Sequence, residues 1–162
     1  MENDDLKIIN INSTSGKQYA LNKLVPGEYQ YEDRHYQFNY IPDALKGCSH
    51  IKTHGNDKLI NENDVCLTFE VNHPVNVFVL YADKFPVLPK WLGEYERTRY
   101  NITREDSTPG TLRGYFSLYK KQFVKGKITL FGCSQKAMLD EEWFVNSGGM
   151  NYYMYTIAVK KI

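Results

Sequence analysis

The sequence predicts an antiparallel β-sandwich, and three observations carry that expectation. Two apolar runs of alternating character, Val65–Val71 and Val75–Tyr81, stand on either side of Asn72-His73-Pro74, the pattern of neighbouring strands joined by a short rigid segment. Aromatic residues make up 14% of the chain, with 13 Tyr and 8 Phe; both types favour strands, and Tyr keeps a polar tip when half buried. Turn signals recur at near-regular spacing, and no long amphipathic helix pattern interrupts them. About eight to ten short strands so arranged read as a jelly-roll-like sandwich, with an immunoglobulin-like sandwich as the alternative. The Cys…Trp…Cys framework of immunoglobulin domains is missing, which favours the jelly roll.

The elements follow in order along 162 residues, which the length prior reads as a single domain over 1–162. Leu6–Ile11 is short and β-branched, a natural first strand. Lys17–Val25 is a second, closed by Pro26-Gly27. Tyr29–Tyr40 spaces aromatics evenly around a charged Glu32-Asp33-Arg34 interruption and reads as two short strands or one with a turn. Pro42–Gly47 is loop or helical turn, Ser49–Thr53 a brief strand, and Gly55–Asp64, rich in Asn and Asp, an exposed loop. After the two strong strands, Pro89 opens a helical turn over Lys90–Tyr95, because proline suits a helix start. Arg97–Arg104, Gly114–Tyr119, Lys127–Phe131 and Tyr152–Lys160 complete the strands, with a turn at Ser107–Gly110.

Composition excludes several function classes. A net charge of +1 gives no electrostatic case for nucleic acid or an anionic membrane. No apolar run approaches the roughly 18 residues of a membrane-spanning helix. Met1–Asp5 is acidic and lacks the basic and apolar regions of a signal peptide, which leaves two readings: a cytoplasmic protein, or an excised domain of a secreted one. Cys48, Cys66 and Cys133 are an odd count without CxxC spacing and read as free, buried thiols. The sequons Asn12-Ser13-Thr14 and Asn101-Ile102-Thr103 are too short a signal to fix the compartment.

Several fragments together resemble a known group. They are Ile51-Lys52-Thr53, Asn56-Asp57-Lys58, Leu67-Thr68-Phe69-Glu70-Val71, Val77-Phe78-Val79-Leu80-Tyr81 and Leu88-Pro89-Lys90-Trp91-Leu92, followed by Thr98. Tyr119-Lys120-Lys121-Gln122-Phe123, Gly126-Lys127-Ile128-Thr129-Leu130 and a closing Tyr-rich strand to Val159 follow in the same order. In this order and spacing the chain, from Pro42 onward, resembles the carbohydrate-binding-module-like β-sandwich accessory domains of bacterial polysaccharide-degrading enzymes and large secreted multidomain proteins. The resemblance implies a sandwich fold and a place in a larger protein, with carbohydrate recognition as its functional corollary. Two features depart from it: Phe131-Gly132-Cys133 at a strand end, and a longer insert over Ala137–Gly149.

Most singled-out residues have a structural reading. Trp91, framed by Pro89 and Leu92, is expected to plug one end of the core. Asn56 and Asp57 suit a turn by bonding their own backbone rather than calcium, and Gly126 sits where a turn needs positive φ. Cys48, His50 and His54 form C-x-H-x3-H without a fourth ligand at a usual spacing, so no metal is expected. Pairing Cys48 or Cys133 with His35, His50, His54 or His73 lacks an orienting third group. Glu94 and Glu96, and Asp140, Glu141 and Glu142, read as exposed charge runs, and Gly148-Gly149 as a joint with no helix after it to cradle a phosphate.

The binding expectation therefore falls on the insert: Trp143 as a flat exposed anchor, with Met138, Phe144 and, on the following strand, Tyr152. The sequence reads as a non-catalytic recognition module that needs no cofactor and meets a glycan or a protein partner through its loops. A protein-interaction domain of an intracellular assembly is the alternative, and a Cys/His enzyme stands furthest from the sequence.

Overall fold

The computed structural model describes residues 5–34, 36–38, 40–105, 112–150 and 152–162. Two antiparallel sheets pack face to face. The smaller holds β1 (Ile8–Ser13), β5 (Val65–Val71) and β9 (Gly126–Phe131) in the order β1-β5-β9. The larger contains β2 (Ala20–Lys23), β3 (Gln37–Phe38), β4 (Ser49–Lys52), β6 (Val75–Ala82), β7 (Glu96–Glu105), β8 (Leu112–Phe123) and β10 (Thr156–Lys161). Its order is β2-β4-β10-β6-β8-β7-β3.

The two apolar runs form β5 and β6 as expected, but they are not sheet neighbours. Asn72-His73-Pro74 carries the chain from the small sheet across to the centre of the large one. The sequence pattern already distinguishes the two. Strand β5 alternates, since one of its faces meets solvent, whereas seven of the eight residues of β6 are buried, as a strand covered on both faces requires.

One face of β6, with Val77, Val79 and Tyr81, turns toward the small sheet, and the Tyr81 hydroxyl donates to Cys133 O at 2.6 Å. The other, with Phe78, Leu80 and Ala82, aligns with Leu118 and Phe116 of β8 and Ala158 of β10. A strap running from Gly27 to Leu45 covers this outer face. Gln30 Nε2 donates to Thr156 Oγ1 at 2.8 Å, and the Phe38 ring sits edge-on to His50 of β4 at 5.4 Å. Phe38 belongs to β3, at the far end of the sheet order from β2 and β4, and its ring reaches back across the outer face to β4. Burying each such aromatic or aliphatic side chain contributes roughly 1.5–3 kcal/mol.

Trp91 closes one end of the sandwich, half-buried against Tyr95, Phe131 and Tyr155, with Nε1 donating to Gly132 O at 2.9 Å. The turn that carries it spans Lys90–Glu94, after Pro89 as expected. Gly132 is required there: a Cβ would lie 2.0 Å from Asn61 O.

Several expectations are corrected. Gly55–Asp64 is not an exposed loop: Gly55–Leu59 is a 3-10 turn whose Asp57 is buried, accepting from Ser15 Oγ and Lys17 Nζ, each at 2.8 Å, and from the Tyr19 hydroxyl. Asp57 therefore ties two segments together instead of bonding its own backbone. The Tyr29–Tyr40 aromatics are mostly strap, with only β3 as a strand. The insert forms two short helices, α1 (Lys136–Leu139) and α2 (Glu142–Asn146), and Tyr152 precedes β10 rather than lying on a strand. The Ser107–Gly110 turn and His35 lie outside the described residues.

Candidate functional site

Three segments meet beside the start of β10 and enclose a cleft of about 340 Å³. The strap supplies Arg34 and Tyr36, the 3-10 turn Asn56 and Lys58, and the chain after α2 supplies Ser147, Gly148, Tyr152 and Tyr153. Local chemistry sets each wall. The Asp33 carboxylate accepts from Gly55 N at 2.6 Å and Asn56 N at 3.3 Å, which pins the strap to the turn. Arg34 then spans the joint, donating to Asp33 at 2.9 Å and to Asn56 Oδ1 at 2.6 Å. On the far side the Tyr31 hydroxyl donates to Met154 O at 2.6 Å. Tyr36 stands edge-on to both Tyr31 and Tyr153.

The third wall depends on glycine. Gly149 holds a φ of +72°, and a Cβ there would meet Lys58 Cε at 2.7 Å. The close approach lets Lys58 run beneath the end of the insert. The resulting lining combines tyrosine rings, two cations and amide groups, a set able to stack on a ring and to hydrogen-bond its hydroxyls.

The four expected binding residues separate. Phe144 is fully buried and Met138 nearly so, which corrects their assignment as partner contacts: their apolar side chains anchor α1 and α2 to the core. Trp143 is 53% exposed and rests on Tyr152, ring centroids 6.0 Å apart. Tyr152 is wedged among Trp143, Phe144 and Phe85, with Lys84 Nζ 4.9 Å above its ring, and it lines the cleft. Of the expected set, Trp143 and Tyr152 are thus brought together at a surface.

The other cleft residues were missed by sequence reasoning. The alternating aromatics on either side of Glu32-Asp33-Arg34, Tyr29 and Tyr31 before it and Tyr36, Phe38 and Tyr40 after it, were the signal for the strap. Arg34 gave none, because a charged triplet ordinarily marks a solvated turn.

The nucleophile candidates do not converge. Burial pushes the Cys48 and Cys66 thiols up to about 11 and Cys133 further still, which disfavours the thiolate form of all three. His50 is enclosed under the strap, while His54 stacks on Tyr19 and contacts Gln18 O at 2.8 Å, so the C-x-H-x3-H residues point to different environments. Among the described residues no group of three or more His, Cys, Asp or Glu is placed to hold a metal ion. Asp140 pairs with Lys136 at 2.7 Å and Glu94 with Lys121 at 3.0 Å, surface pairs of little energetic weight. No helix among the described residues is long and apolar enough to cross a membrane.

No protein-family model and no curated protein matches the chain. Among solved structures, it superposes on part of a β-glucuronidase from glycoside hydrolase family 2 with a TM-score of 0.72 and 21% identity. That match covers 94% of this chain and 14% of the enzyme. A GH138 enzyme targeting pectin rhamnogalacturonan II gives a TM-score of 0.54 and 18% identity, covering 83% of this chain and 16% of that one. At these identities the likeness establishes the fold: an all-β sandwich of a type found within glycoside hydrolases. The chain spans about a seventh of the length of these enzymes.

Proposed function

We propose that this chain is a non-catalytic carbohydrate-recognition module of a larger protein, and that it binds through the cleft between the strap and the end of the insert. The observation that carries the reading is the cleft's composition: Tyr36, Tyr152 and Tyr153 beside Arg34, Asn56 and Lys58 in one concavity. Sugar rings present apolar C–H faces and hydroxyl edges, and this lining answers both. The occurrence of the same fold inside two glycoside hydrolases supports it. So does the burial of all three thiols, which leaves the cleft without a nucleophile of that kind. In this reading Trp143 extends the aromatic surface out of the cleft across Tyr152.

A protein partner is the second reading, and one observation favours it. Trp143, Val145 and Met150 are all exposed on or just after α2, an apolar group suited to a neighbouring domain of the same larger protein. The two readings separate experimentally. Screening the folded chain on a glycan array, then titrating a captured saccharide by calorimetry, should show Tyr152→Ala and Trp143→Ala each weakening binding by roughly 30-fold. An array without binders, or a captured saccharide indifferent to both substitutions, would remove the cleft as a sugar site.

A further inference from the structure

A second concavity lies at the other end of β10, about 20 Å from the cleft by the length of that six-residue strand. It is a groove of about 690 Å³ on the outer face of the large sheet, bordered by Ala44 near the end of the strap. Asn76 and Phe78 of β6 form its floor. Strand register places Lys160 opposite Asn76 and Lys120 opposite Phe78, so both cations stand on this face. Between Arg97 and Asn101 strand β7 slips its register with β8. The slipped segment supplies a rim of Thr98, Arg99 and Tyr100, with the Arg99 guanidinium 5.6 Å from the Tyr100 ring.

Charge is concentrated here. On this face Lys120 and Lys160, with Arg99 on the rim, bring three cations beside the Glu96 carboxylate, which stands opposite Lys120, in a chain whose net charge is only +1. Register turns Lys161, opposite Val75, to the other face. Arg97 is already engaged, donating to Ser117 Oγ at 2.8 Å and lying over the Tyr119 ring. Arg99 is exposed, and Lys120 and Lys160 are half-buried. Asn76 adds a neutral group whose Oδ1 has no hydrogen-bond partner among the described residues, on a side-chain torsion soft enough to turn toward a ligand.

We infer that this groove is a binding site for an acidic saccharide, a chain of uronate residues, separate from the Tyr152 cleft and independent of it. The carboxylates would pair with Arg99, Lys120 and Lys160, ring hydroxyls would donate to Asn76 and Thr98, and a ring face would meet Tyr100. A nucleic acid fits less well. Its affinity comes from many phosphate contacts along an extended basic surface, whereas these cations are gathered in one groove of a nearly neutral chain.

Calorimetry with a galacturonate hexamer, its methyl-esterified counterpart and single-stranded DNA, at low and high salt, tests the inference. The expected result is binding of the uronate hexamer, weakened by added salt and at least tenfold by esterification. Arg99→Glu combined with Lys120→Glu should weaken it at least a further tenfold, with a melting curve close to wild type. Asn76→Ala, which leaves the charge unchanged, should weaken it severalfold, and Tyr152→Ala should leave it intact. Absence of uronate binding, equal binding of the esterified hexamer, tighter binding of DNA, or loss through Tyr152→Ala instead of the charge reversals would each overturn the site. Should the charge-reversed chain fail to fold, Lys160→Gln with Arg99→Gln carries the same test.

Discussion

Lowering the pH should destabilise this fold well before its carboxylates titrate, and His50 is the reason. Its imidazole is fully buried on β4 beneath the strap, edge-on to Phe38, and among the described residues neither ring nitrogen has a hydrogen-bond partner of good geometry. Burial foremost, with the Lys52 charge on the same strand adding to it, lowers its pKa from 6.5 to about 3. The unfolded chain therefore binds a proton between those values that the folded chain refuses. The stabilisation is present in full above the unfolded value and is lost as pH falls from about 6.5 towards 3. At about 1.4 kcal/mol per pH unit, acidification from neutrality to pH 5 removes about 2 kcal/mol, or roughly 4–8 °C of melting temperature for a domain of this size. The assay is thermal or urea unfolding followed by circular dichroism between those pH values. His50→Leu is the control, because an apolar side chain of similar volume leaves no group to protonate. It should flatten the profile over this range. Equal pH slopes for wild type and His50→Leu would refute the argument.

Trp91→Ala should destabilise the fold by about 3 kcal/mol, the low end for a tryptophan because the ring is half-buried, and Trp91→Phe by about 1 kcal/mol through loss of the Nε1–Gly132 bond; a cooperative unfolding curve unchanged by Trp91→Ala would contradict this. Thiol titration should find three reactive groups in denaturant and slow reaction in the native protein, since all three cysteines are buried; fewer than three in denaturant would mean that they are not free.

The fold was more legible in the sequence than the site, for physical reasons. Strand patterning is local: the alternation of Val65–Val71 and the continuous apolar run of Val75–Tyr81 reflect one covered face and two. Which strands pair is not local. Nothing in Asn72-His73-Pro74 reveals that it crosses between sheets instead of folding a hairpin. The insert shows the same limit. Its aromatics marked it as important, but Trp143 and Phe144 are adjacent in sequence and face opposite environments, a distinction made only by the turn of α2. The cleft was least legible, because Asp33, Arg34, Asn56 and Lys58 are polar residues in irregular segments, brought together by hydrogen bonds across 22 positions. Such polar clusters carry no periodicity, and only the recurring tyrosines of the strap hinted at them.

In the proposed function the cleft beside Tyr152 recognises a saccharide. Amide chemical-shift mapping of the labelled chain during titration with an array-selected oligosaccharide tests it most directly. Saturable shifts should cluster at Arg34, Gly55, Asn56, Gly148 and Tyr152, with the Trp91 end of the sandwich unmoved. Shifts confined to surfaces away from those residues, or none at saturating saccharide, would contradict it.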